Sequence, residues 1–165
     1  MHTIEAVIAS ALILTSLYFL MTHEPYFSFP SHETPEEQLR DYGISSLNAL
    51  EARYGMNESS LNFLQRCILR WNDGGKEEFE ETLRELLPEN IRFDVFLIFI
   101  SADGNITVAE GIDSGVPRDA VVVEKTIFLR DGIAENPVLI NEHELRNLEG
   151  RFYSPVILRL VLWYA

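Results

Sequence analysis

The sequence predicts an α+β protein: an N-terminal transmembrane helix, then a helical segment packed on a C-terminal antiparallel sheet of about four strands. Three observations predict it. Residues 1–22, MHTIEAVIASALILTSLYFLMT, are apolar apart from Glu5. Residues 34–87 repeat apolar side chains at helical spacing between recognisable caps. From residue 92 onward the period shortens to that of strands. The chain therefore divides into a membrane helix (1–22), a linker (23–33) and one folded domain (34–165), with helices in 34–87 and sheet in 92–165.

From Ala6 to Met21 there is no charge, no Pro and no Gly. With Met1 to Ile4 added, the run reaches the ~20 residues that a helix needs to cross a bilayer core of roughly 30 Å. A carboxylate near mid-bilayer costs about 2.5–3.5 kcal/mol, which makes Glu5 a candidate functional residue with a partner to be named. The alternative is that Glu5 sits close enough to the end to reach the headgroups. A signal anchor or signal peptide carries Lys or Arg before its apolar region. Here the first basic residue is Arg40. Either a basic leader has been removed, so that Met1 opens a processed chain with Glu5 at its fifth position, or Met1 is the initiator.

The linker HEPYFSFPSHE is aromatic and semi-rigid: Pro25 and Pro30 prevent a regular helix, and Tyr26, Phe27 and Phe29 suit a membrane interface. Thr34-Pro35-Glu36-Glu37 then starts a helix, with Thr34 as N-cap, Pro35 at the first helical position and Glu37 closing a capping box. This helix is expected to reach Tyr54 and stop at Gly55, with Ile44, Leu47, Leu50 and Tyr54 inward and Gly43 as a weak point. A second helix is predicted over Glu58–Trp71, with Leu61, Leu64, Ile68 and Trp71 on one stripe. A third, Lys76–Leu87, presents Phe79, Leu83 and Leu86 and is closed by Pro88.

Phe93–Ile100 is a run of Phe, Val, Leu and Ile, interrupted at Asp94, that is bounded by Asp103-Gly104-Asn105, a buried strand entering a hairpin. Its partner is Ile106–Glu110, Ala120–Leu129 is a third strand, and Val156–Tyr164 a fourth. Asp131–Tyr153 reads as an excursion between the last two, with a short helical turn around Glu142–Leu148. The C-terminal strand contains Arg159 and is too short to cross a membrane as a helix.

The net charge of −13 falls almost wholly beyond Thr22, where only Glu5 precedes it. That acidity argues against nucleic acid as a partner and against adsorption to anionic lipid, both of which attract Lys and Arg. Subtracting the apolar segment leaves about 140 residues, enough for one core. Cys67 is the single cysteine, so there is no intrachain disulfide, and it reads as a small buried hydrophobe.

Catalytic patterns are approached and missed. His143-Glu144 opens like a zinc-protease helix, but Asn147 stands where the second His is needed. Asp103, Asn105 and Thr107 echo a calcium loop whose Gly and closing Glu are replaced by Val108 and Ser114. Gly111-Ile112-Asp113-Ser114-Gly115 has its Ser one place away from a nucleophile elbow. His23-Glu24 and His32-Glu33 lie in a Pro-broken linker without further ligands at helical spacing. No catalytic residue, metal site or cofactor is therefore expected. Two sequons remain, Asn57-Glu58-Ser59 at a helix start and Asn105-Ile106-Thr107 in the hairpin turn, as candidate glycosylation sites.

Thr3, Ile4 and Glu5, followed by unbroken apolar residues, resemble the start of mature chains in the type IV pilin family, archaeal pilins and pseudopilins included. The resemblance covers residues 1–22 and departs at Met1, where the family commonly has an aromatic residue or Gln. It implies that a prepilin peptidase removes a basic leader, that the amino group of Met1 pairs with Glu5 of a neighbouring subunit, and that the apolar helices bundle into a filament core. Two buried opposite charges can coexist where either alone would be expelled. The implied function is a structural subunit of a pilus-like filament or pseudopilus, its domain extracytoplasmic. Its implied partners are other pilin subunits, the assembly machinery and membrane lipid. The alternative is a monomeric, membrane-anchored extracytoplasmic binding domain.

Overall fold

The computed structural model describes residues 34–53, 61–112, 115, 117, 119–130, 137–148 and 152–165. Thr34–Ala165 forms one compact unit, and Met1–Glu33 is assigned to another. The domain opens with three helices, α1 (Pro35–Ala52), α2 (Phe63–Leu69) and α3 (Lys76–Leu86), α2 and α3 being joined by a single π-type turn at Trp71–Gly75. Strands follow: β1 (Ile91–Ile100), β2 (Ile106–Ile112), β3 (Val121–Ile127), β4 (Leu139–Ile140), β5 (His143–Glu144), β6 (Asn147–Leu148), β7 (Phe152–Tyr153) and β8 (Val156–Tyr164). The main sheet has the order β2-β1-β8-β3 and is antiparallel throughout.

The fold class expected from the sequence needs correcting. Among the described residues no helix is long and apolar enough to cross a membrane. The longest, α1, carries Glu36, Glu37, Arg40, Asp41 and Glu51 along its 18 residues. The transmembrane helix expected at residues 1–22 lies outside the described residues and is no part of the architecture seen. What is seen is a four-stranded antiparallel sheet with three helices against one face and two small two-stranded ladders beside it.

α1 begins as its sequence dictates. Thr34 accepts the Glu37 N–H at 3.3 Å, and the Glu37 carboxylate accepts the Thr34 N–H at 2.9 Å, so two orphan donors are satisfied reciprocally. The buried stripe is Leu39, Gly43, Ser46, Leu47 and Leu50. Ile44, expected inward, is 43% exposed, and Tyr54 lies outside the described residues. The stripe is set by Gly43. A Cβ there would stand 2.7 Å from Leu162 Cδ1 and 2.8 Å from Val123 Cγ2, so the missing side chain lets the helix backbone approach the sheet. Lys125, on the same sheet face, reaches up to Glu51 at 2.5 Å and Asn48 at 2.8 Å.

α2 is shorter than its pattern suggested, because Asn62 caps it by accepting from the Gln65 N–H at 2.8 Å. Phe63, Leu64, Cys67 and Ile68 are buried. The turn after it holds Gly74 at φ 88, the left-handed region that favours glycine. α3 buries Phe79 and Leu83 completely, while Leu86, expected inward, is 37% exposed. It stops because Leu87 is extended, as the residue before Pro88 prefers. Each fully buried Leu or Phe on these helices stabilises the fold by roughly 1.5–3 kcal/mol.

The expected helical turn at Glu142–Leu148 does not form. Asn141 takes a positive φ of 54 and turns β4 into β5, and Asn72 holds that turn from the helical side, donating to Asn141 O at 2.6 Å and accepting from its N–H at 2.9 Å. Backbone bonds from Ala102 N–H to Glu144 O (2.9 Å) and from Arg146 N–H to Ile100 O (3.0 Å) then stitch the segment to the end of β1. Tertiary pairing outweighs local helix preference here.

Candidate functional site

Of the residues singled out in the sequence, Met1, Glu5 and Asn57 lie outside the described residues, as do His23, Glu24, His32, Glu33 and Ser114. Asn105 is described and exposed, in the β1–β2 hairpin. Two surfaces of the domain invite a functional reading: that hairpin, and the sheet face turned away from the helices.

The hairpin is built by Ser101–Thr107. Ser101 N–H donates to Asn105 O, and Gly104 N–H, with Gly104 at φ 88, donates to Ser101 O, each at 2.9 Å. The Asp103 carboxylate organises the loop. It accepts the Ser101 hydroxyl, the Asn105 N–H at 3.2 Å and the Asn105 Nδ2–H at 2.7 Å. The Thr107 hydroxyl donates to Ser101 Oγ at 3.2 Å. The Ser101 bond first, then the Asn105 side chain and backbone N–H, hold the Asp103 carboxyl below the ordinary carboxylate range, since all stabilise the ionised form. These bonds close a turn and leave the carboxamide of Asn105 at the surface.

The outer sheet face follows from strand alternation. With Leu97, Leu158 and Leu160 turned to the helices, the opposite positions line up in register across four strands. One row is Val108, Ile98, Ile157 and Thr126, and the next is Glu110, Phe96, Arg159 and Glu124. Arg159 pairs with Glu124 at 2.7 Å, and Ile106 and Ile100 end the face. Val122 is 46% exposed and Val108 60% exposed, whereas Phe96, Ile98, Ile100 and Ile157 are half-buried. Sequence reasoning missed this face. The signal for it was present in the apolar stretches Val95–Ile100 of β1 and Leu160–Trp163 of β8, since a strand with one solvated face normally alternates.

Nothing in the described residues assembles a catalytic constellation. No three His, Cys, Asp or Glu side chains among them could hold a metal ion. His143 and Glu144 are exposed on β5 and Asn147 opens β6, so the zinc-protease spacing is laid along strands instead of one helix face. Cys67 is buried, and desolvation, with Glu78 adding to it against Arg66 and Arg70, pushes its thiol up to about 12. A thiol that stays protonated is no nucleophile. An open cleft of about 690 Å³ at the starts of α1 and β3 gathers Glu36, Glu37, Arg40 and Asp119, a mainly acidic rim without a nucleophile and base in contact.

The chain belongs to the DUF7288 family, a family of unknown function, whose model matches residues 1–159. The match takes in both the apolar N-terminal segment and nearly all of the folded domain. No curated protein and no solved structure matches the chain.

Proposed function

We propose that this DUF7288 chain is a structural assembly subunit of a pilus-like filament or pseudopilus, held at the membrane by its apolar N-terminal segment, with its acidic domain extracytoplasmic. The observation that carries the reading is in the sequence: a charge-free run from Ala6 to Met21 preceded by one acid, Glu5, at the fifth position. The family match supports treating that segment and the domain as one unit, because it spans both. In this reading Glu5 sets register by pairing with the amino group of a neighbour's Met1, and the partners are further subunits, a prepilin peptidase, the assembly machinery and lipid.

The test is N-terminal sequencing of the chain expressed from its full reading frame beside its own processing machinery, together with Glu5→Ala. Cleavage just before Met1, and loss of assembly in Glu5→Ala with the domain still folded, is the expected result. Uncleaved chains and an assembly unaffected by Glu5→Ala would overturn the proposal.

A second reading, a monomeric membrane-tethered binding domain, is favoured by the outer sheet face. Phe96, Ile98, Ile100, Val108 and Ile157 make a contiguous apolar surface of the kind that marks interaction sites. Substituting Ile98→Glu and Ile157→Glu should then abolish partner capture while Glu5→Ala leaves it intact.

A further inference from the structure

We propose that Asn105 is an N-glycosylation site and that its sugar chain guards the Ile106 end of the edge strand β2, away from Glu110, whose carbonyl accepts from Asn141 Nδ2 at 3.3 Å. The inference rests on the reading of the domain as extracytoplasmic, where sugar transfer takes place. Asn105-Ile106-Thr107 fits the acceptor pattern, with a residue other than Pro in the middle. The pattern alone is weak, and the structure adds two independent observations.

The first is access. Asn105 is exposed at the end of the hairpin, and among the described residues its carboxamide hydrogen-bonds to Asp103 of the same loop. A sugar attached at Nδ2 displaces no core side chain. The second is need. β2 is an edge strand of the main sheet, and its outward side chains Ile106 and Val108 are 77% and 60% exposed. Natural edges are blunted by Lys, Pro, inward charges or bulges. The bulge of β2 lies at its far end, opposite Val95 and Phe96, and the half beginning at Ile106 has none of these devices. An exposed apolar strand half of this kind is a template for pairing with another chain. A bulky hydrated sugar chain on the residue next to Ile106 bars that approach.

The chemistry balances with one co-reactant, a polyprenyl-phosphate-linked oligosaccharide. The carboxamide nitrogen of Asn105 attacks the anomeric carbon and a C–N bond forms. The C–O bond to the lipid phosphate breaks, the phosphate leaves with the electron pair, and one amide proton passes to a base of the transferase. Nothing is oxidised or reduced.

The experiment uses the full chain purified from membranes of its native cells. Mass spectrometry of the tryptic peptide Phe93–Arg118 should find a sugar mass on Asn105, lost in Asn105→Gln and Thr107→Ala and kept in Thr107→Ser. An unmodified Asn105 in the native protein would overturn the inference. In parallel, Glu89→Cys, at an exposed loop, is treated on intact cells with a membrane-impermeant maleimide, with buried Cys67 leaving the background silent. Labelled Glu89→Cys with bare Asn105 sinks the glycan alone, whereas unlabelled Glu89→Cys sinks the extracytoplasmic reading with it. The guarding role predicts that Asn105→Gln sediments as larger species in detergent and that adding Ile106→Lys reverses this. Unchanged sedimentation would refute that role.

Discussion

Replacing Gly111 by Ala probes the packing that fixes how the helices meet the sheet. Gly111 is the extra residue of the bulge at which β2 loses register with β1. A Cβ built there would stand 2.8 Å from Trp71 Cζ2 and 2.9 Å from the Val95 carbonyl oxygen. Neither neighbour yields easily. Trp71 is 2% exposed and packs against Phe79 with ring centroids 6.2 Å apart, and Val95 belongs to the central strand β1. Overpacking of a close-packed site costs about 1–3 kcal/mol. The lower chain entropy of unfolded Ala returns about 0.5–1 kcal/mol. The net loss should be about 1–2 kcal/mol, which for a domain of this size lowers Tm by roughly 4–10 °C. Urea and thermal unfolding of residues 34–165, the compact unit, measure it. In a Trp71→Phe background the indole atoms are gone and only the carbonyl contact remains, so the loss should fall by about half. A Gly111→Ala domain that melts at or above the wild-type temperature would refute the reasoning.

Three further outcomes are expected. Thr34→Ala removes one arm of the α1 capping box and should destabilise the domain by about 1 kcal/mol, read from urea midpoints; no change would mean the cap is frayed in solution. Asp103, whose carboxyl is held low in the folded state, contributes stability that is fully present above its unfolded value of about 3.9 and is lost as pH falls through the lower folded value. Asp103→Asn should therefore flatten the acid limb of a Tm-against-pH plot below about pH 4 and leave neutral pH dependence unaltered, and an unchanged acid limb would refute the role given to the hairpin carboxylate. Cys67 should resist a thiol reagent at pH 8 in the folded protein and react fully in 6–8 M urea, on the order of the concentrations that unfold small domains; rapid labelling of the native protein would contradict its burial.

Much of the fold was readable without coordinates, for identifiable reasons. The cap at Thr34, the stop before Pro88 and the limits of β8 depend on interactions within a few residues, and those are written locally. Leu47, Leu50, Phe79 and Leu83 were placed in the core by helical period alone. The candidate site was less legible. The sequon at Asn105 and the turn around it could be read from Asp103-Gly104-Asn105, because a hairpin turn is a local object. That Asn105 stands beside an edge strand could not be, since being an edge is a property of strand order, and β8 from the far end of the chain takes the place between β1 and β3.

By itself, then, the sequence determined the charge-free segment after Glu5, the acidity of the domain, the three helices, the long strands and their turns. The tertiary structure alone decided that Gly43 is a contact point and not a weak point, because only the sheet brings Leu162 and Val123 beneath it. It decided that Glu142–Leu148 pairs as strands, because the free backbone of β1 beyond Ile100 offers hydrogen bonds that a lone helical turn of this length could not match. And it decided that the apolar runs of β1 and β8 present a second apolar face away from the helices, since which side of a strand is covered depends on where other segments pack, and no local pattern records that.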